Sequence, residues 1–118
     1  MPKYDMVYLG HMLDTAKEAI SLMQGKDRKA FDADRALRLA LAYLIQTLGE
    51  AGRRVSEEYQ KEHSEIPWEE IIGMRHKIVH DYMAIDEDIL WQVVATDLPV
   101  LIVSLERIIG SDGEKINE

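Results

Sequence analysis

No cysteine occurs in this chain of 118 residues. That removes disulfide frameworks and thiolate metal sites together, and it fits a reducing, cytoplasmic setting. No apolar run approaches the roughly 20 residues of a membrane span. Near the N-terminus, Lys3, Asp5 and Asp14 interrupt any signal-peptide core. Prolines number three and glycines seven, so the chain is little punctuated and its connections are expected to be short. There are no internal repeats, no low-complexity tracts and no strand-like alternation. Positive charge is also scarce: the net charge of −8 argues against a generic nucleic-acid coat protein. A small basic cleft stays open, because the field near a site depends on local charges. Lys26, Arg28 and Lys29 form one basic cluster and Arg53 and Arg54 another; the plain reading of both is solvated surface.

What is present is apolar periodicity. Hydrophobic residues make up 47%, enough for one domain with one core. Met6, Leu9, Leu13, Ala16, Ile20 and Met23 step by three and four, which predicts a first amphipathic helix ending near Gln24, with Gly25 as C-cap. Gly25 to Asp32 reads as a polar connection anchored by Phe31, and Asp32 or Asp34 can cap the next helix. This second helix is expected from about Asp34 to about His63, on the stripe Leu37, Leu41, Leu44, Leu48, Ala51 and Val55. Leu39, Ala42, Tyr43 and Ile45 add apolar surface on its other sides, which a short chain has little material to cover; a homodimer is therefore expected. Pro67 opens a third helix to about Tyr82. A fourth, capped by Asp86, carries Leu90, Val94, Leu98, Leu101, Leu105 and Ile108 inward. Pro99 should kink or split it, with Asp97 capping the second half. The fold class is all-α: an antiparallel helical bundle of four main helices, homodimeric, with residues 1–110 as the domain and 111–118 as a frayed tail.

The third helix, WEEIIGMRHKIVHDY, holds the chemistry. Its stripe reads Trp68, Ile71, Ile72, Ile78, Val79 and Tyr82, with Arg75 in the middle. The positions three and four residues from Arg75 are Ile71, Ile72, Ile78 and Val79, none a carboxylate. A guanidinium there requires a partner from outside the helix, and Glu50 is a candidate although Arg53 and Arg54 lie within its reach. Gly73, mid-helix, suggests close approach of another backbone. His80 comes five residues after Arg75, and Tyr82 two residues later.

Imidazole and guanidinium together suit phosphate chemistry. Arg grips phosphate oxygens with a planar fork, and His moves a proton near neutral pH. On RNA, His80 could take the proton of a ribose 2′-OH while Arg75 stabilises the charge gathering on phosphorus; DNA lacks that hydroxyl. The nucleophile comes from the substrate, so no cofactor or metal is required. Five residues span about 500° of helix, leaving Arg75 and His80 about 140° apart on a straight one. For joint action the helix must end or bend near His80, or two chains must contribute. Arg75 and Tyr82, seven apart, share a helical face. Lys77 would disfavour protonated His80, and the helix C-terminus would act the other way. The structural readings stand beside these: an Arg paired across the bundle, His80 as a helix cap, Tyr82 as a core tyrosine, or His76 and His80 as two ligands of a metal site that lacks a third.

RHKIVHDY resembles the R-x4-H-x-Y signature of the HEPN superfamily, and the chain resembles its HepT-like branch. LGEAGRR at 48–54, IPWEEIIGMRHKIVHDY at 66–82, ID-x4-W at 85–91 and DLP at 97–99 carry the likeness. It implies an all-α dimeric, metal-independent ribonuclease toxin of a prokaryotic toxin–antitoxin pair, with Arg75 and His80 catalytic. It also implies a partner, an MntA-like nucleotidyltransferase antitoxin that transfers AMP onto Tyr82. Many members have Asn directly after the Arg, where this chain has His76. An alternative is a non-catalytic HEPN module that binds a nucleotidyltransferase or a nucleotide, and a third is a structural helical dimer with no site. Membrane and DNA partners are not expected.

Overall fold

Three long helices carry the core, and a shorter one, packed on one flank of them, carries Arg75 and leads into the strand of His80. The computed structural model describes residues 4–81 and 84–117. Helix α1 (Asp5–Met23) lies against α3 (Arg35–Arg54), which also packs on α5 (Trp68–Ile78), while α7 (Leu98–Asn117) covers the other flank of α1. Short helices α2 (Arg28–Ala33), α4 (Glu57–Glu62) and α6 (Glu87–Gln92) fill the corners. Leu9, Met12 and Ala16 of α1, Leu41, Ile45 and Leu48 of α3, Ile71 and Ile78 of α5, and Leu98, Leu101, Leu105 and Ile108 of α7 are all buried in one cluster. The fold is all-α apart from a small hairpin of β1 (Val79–Asp81) and β2 (Ala84–Ile85).

Side-chain caps set most of the helix starts. Asp27 accepts from the Ala30 N–H, Asp34 from Leu37, Ser56 from Tyr59 and Asp86 from Ile89. Gly25 takes the left-handed φ of 75° that lets the chain leave α1, as its place after the helix predicts.

Several expectations require correction. The segment between α1 and α3 is not a plain connection: α2 forms there, capped by Asp27, with Phe31 fully buried. The second helix does not run to His63. It stops at Arg54, because both oxygens of the buried Asp5 carboxylate take the backbone N–H (2.9 Å) and hydroxyl (2.7 Å) of Ser56. That fixes Ser56 in an extended conformation from which α4 starts afresh. The third helix ends at Ile78 rather than Tyr82, where the hairpin takes over.

Pro99 is accommodated by a π-helical turn, Val93–Asp97, inserted between α6 and α7. The Leu98 N–H reaches back five residues to the Val93 carbonyl, which makes room for a ring that would otherwise clash with the carbonyl four residues before it. Helical dihedrals persist at Gln92, Val93 and Leu98, so Asp97 lies inside a continuous helical path rather than at the start of a new helix. Nor does the last helix end at Gly110: α7 continues to Asn117, and Asp112 within it is buried and accepts a 2.6 Å hydrogen bond from the Tyr59 hydroxyl.

Candidate active site

Helix α5 buries Trp68, Ile71, Met74 and Ile78. Met74, absent from the stripe read in the sequence, takes the inward position, and its neighbour Arg75 turns out to the surface. Arg75 is therefore not a buried charge. The reason is register: the stripe drawn through Val79 and Tyr82 assumed helix beyond Ile78, where α5 has already ended. Being exposed, Arg75 requires no partner, yet it has one outside the helix. The Arg75 Nε donates to Gln46 Oε1 on α3 at 3.0 Å. Glu50 is not that partner; it stands 3.7 Å from Arg53, an exposed pair one turn apart on α3 and of small energetic consequence.

Gln46, Glu50 and Arg53 nevertheless line the same cleft as Arg75 and His76, a cavity of about 230 Å³ between α3 and α5 with Ile45, Gly49 and Ile72 at its base. Close helix contact makes this base. A Cβ built on Gly49 would lie 3.0 Å from the Ile71 carbonyl oxygen, whereas one on Gly73 would meet nothing within 4 Å. The close backbone approach expected at Gly73 thus belongs to Gly49. Engaging Nε leaves the two terminal nitrogens of Arg75, which have no hydrogen-bond partner among the described residues. That is the end of a guanidinium that forks onto a phosphate.

His80 sits on β1, outside the set of residues lining this cleft. Its Nε2 lies 3.4 Å from Asp86 Oδ2. The hairpin is pinned at its base by the Asp86 N–H, which donates to the Ile78 carbonyl at 2.6 Å. The Ile89 N–H, with a smaller contribution from the His80 ring, holds the Asp86 carboxyl below the usual carboxylate range, although partial desolvation works against it. The end of α5 at Ile78 meets the condition that the helix stop before His80. It also removes the helical phase that put Arg75 and Tyr82, or His76 and His80, on one face. Tyr82 itself lies outside the described residues. Lys77 is exposed in the last turn of α5 beside Arg75 and His76, where cations suit the helix C-terminus.

Sequence reasoning missed two residues of this arrangement. Gln46 is 29 positions from Arg75, and nothing in the spacing marks it. Asp86 was legible as a cap and as part of ID-x4-W, but its contact with His80 crosses a hairpin that no alternation announced. Of the two basic clusters, Arg53 reaches the cleft. Arg28 is engaged elsewhere, bonded to Asp32 at 2.9 Å and Asp88 at 2.6 Å.

Comparison with known proteins adds the family. The chain is 30% identical over 105 residues to an RNase-named protein of Caldanaerobacter subterraneus subsp. tengcongensis, covering 89% of this chain and 94% of the relative. It is 31% identical over 100 residues to "Probable ribonuclease HepT" of Thermococcus cleftensis, covering 81% and 91%. An RNase-named protein of Methanocaldococcus jannaschii is 29% identical over 100 residues, covering 84% and 92%. No solved structure matches the chain. The family described as "Ribonuclease HepT-like" matches residues 12–108, most of the chain and all of the cleft and hairpin, and the protein therefore belongs to the HepT-like ribonuclease family.

Proposed function

We propose that this protein is a metal-independent endoribonuclease that cuts RNA through the substrate's own 2′-hydroxyl. The observation that carries the reading is Arg75, held through Nε by Gln46 at a cleft, with its terminal nitrogens left for whatever enters. Those nitrogens grip the non-bridging oxygens of a phosphodiester. Neutral His80 takes the 2′ proton, the 2′ oxygen bonds to phosphorus, and the bond from phosphorus to the 5′ oxygen breaks. The leaving oxygen takes a proton from water, protonated His80 returns its own to solvent, and the products are a 2′,3′-cyclic phosphate and a 5′-hydroxyl. Purified protein incubated with an RNA oligonucleotide should yield these ends with or without EDTA, and an all-deoxy oligonucleotide should stay whole. Arg75→Ala and His80→Ala should each lower cleavage by at least about 100-fold; wild-type rates in both variants would sink the assignment.

The cellular role we infer is that of a toxin in a prokaryotic toxin–antitoxin pair, acting in the cytoplasm. Its antitoxin is an MntA-like nucleotidyltransferase that neutralises the toxin by moving AMP from ATP onto Tyr82. An adenylated residue two positions past His80 brings a phosphate and a nucleoside to the hairpin and opposes RNA. Co-expression with the partner and subsequent mass spectrometry should find AMP on Tyr82 and none on the Tyr82→Phe protein. AMP on Tyr43 or Tyr59 instead would refute the assigned acceptor.

A second reading draws on one observation: His80 is not among the residues lining the Arg75 cleft. A module that grips a nucleotide or a nucleotidyltransferase without cutting RNA would show binding at the cleft and no cyclic-phosphate product.

A further inference from the structure

Asp86 is tied down on three sides. Its backbone N–H donates to the last carbonyl of α5, Ile78, at 2.6 Å. Its Oδ1 accepts the Ile89 N–H at 3.1 Å and starts α6. Only Oδ2 remains, and that oxygen lies 3.4 Å from His80 Nε2. The carboxylate therefore cannot swing away from the ring without giving up a helix cap. Between Ile78 and Asp86 the chain makes the hairpin that carries His80, with Val79 opposite Ile85.

We propose that Asp86 is a positioning residue for His80: it selects the ring tautomer with hydrogen on Nε2 and so makes Nδ1 the nitrogen that takes the substrate proton. The inference rests on the ribonuclease reading proposed for Arg75 and His80. An ionised carboxylate only accepts hydrogen bonds, so a ring nitrogen facing Oδ2 must carry hydrogen. In the neutral imidazole the lone pair then lies on Nδ1, at the opposite side of the ring. A general base must present that lone pair in one direction, and a ring free to exchange tautomers presents it only part of the time. His80 is well exposed, so Asp86 orients a ring that packing alone would leave loose.

Asp86→Asn separates this role from a structural one. Asn caps a helix about as well as Asp, so its side-chain oxygen can stay on the Ile89 N–H and the fold should hold. The amide nitrogen, a donor, then faces Nε2. The ring escapes that donor–donor clash by moving its hydrogen to Nδ1, and the lone pair turns away from the substrate.

The expected result has two parts. In 15N-edited spectra at a pH where the ring is neutral, His80 of the wild-type chain carries hydrogen on Nε2, and His80 of Asp86→Asn carries it on Nδ1. RNA cleavage by Asp86→Asn drops in kcat by about 10- to 100-fold with KM little changed. A wild-type His80 protonated on Nδ1 overturns the proposal whatever the variant does. So does a variant that keeps the Nε2 hydrogen and cuts at the wild-type rate while His80→Ala is inactive; in that outcome the ribonuclease reading stands and only the positioning role is lost. If His80→Ala itself cuts normally, the ribonuclease assignment of His80 fails, and the proposal fails with it.

Discussion

Tyr59 shows how far one side chain can depart from its ordinary chemistry. Burial raises the pKa of its phenol, and the hydrogen bond to Asp112 raises it further. The folded state therefore holds the proton more tightly than the unfolded chain. Stability from this group is fully present below the ordinary tyrosine value of about 10, and it is lost as pH rises from there. Above that value the loss should run at about 1.4 kcal/mol per pH unit. Urea unfolding between about pH 8 and about pH 11 should show the slope in the wild type and its absence in Tyr59→Phe. Arg75 is the opposite case, exposed and held by one hydrogen bond. Arg75→Ala should change stability by no more than about 0.5 kcal/mol even as it removes activity. At this scale the sequence was half legible. The absence of a carboxylate around Arg75 signalled that its partner lies on another element, but identifying Gln46 needed the packing of α3 on α5. Asp86 could be read as a cap because capping is local; its second contact is not.

Helices were legible where three-and-four spacing runs long. The inward residues read for the last helix, Leu90 through Ile108, are all buried. The misreadings cluster where one distant contact or a change of register overrides periodicity: Asp5 ending α3 at Ser56, and Met74 displacing Arg75 from the stripe. Glycines are a further instance. Gly49 and Gly73 look alike in the sequence, yet one is squeezed between helices and the other faces open space. Gly49→Ala should push α3 and α5 apart at a cost of about 1–3 kcal/mol and deform the cleft that holds Arg75. Gly73→Ala should stabilise α5 by up to about 1 kcal/mol. Thermal unfolding of the two variants tests both signs. Equal and small shifts would mean that the helices are less closely locked at Gly49 than its geometry requires. The hairpin had no sequence signature, because strands of three and two residues are too short to alternate.

For the whole molecule, the homodimer is a proposal supported by what α3 leaves uncovered. Leu39 and Tyr43, one turn apart, are exposed at 46% and 68%, and Gln46 stands on the next turn. A two-fold contact there would set a second Arg75 cleft beside the first. Light scattering at micromolar concentration should give twice the chain mass, and Leu39→Glu with Tyr43→Glu should return it to one. A wild-type monomer would remove the two-chain site. The remaining architectural feature concerns α4. Asp5 fastens to its cap residue Ser56 across 51 positions of chain, and Asp112 fastens to Tyr59 across 53. One short helix thus serves as the buckle for two remote stretches. During synthesis, which delivers residues in order, this buckle closes last. A nascent chain that has not reached residue 112 has a tyrosine hydroxyl poised for burial with no Asp112 carboxylate to receive it. A chain released just short of that point would hold every long-helix core residue through Ile108, with its fastening still open.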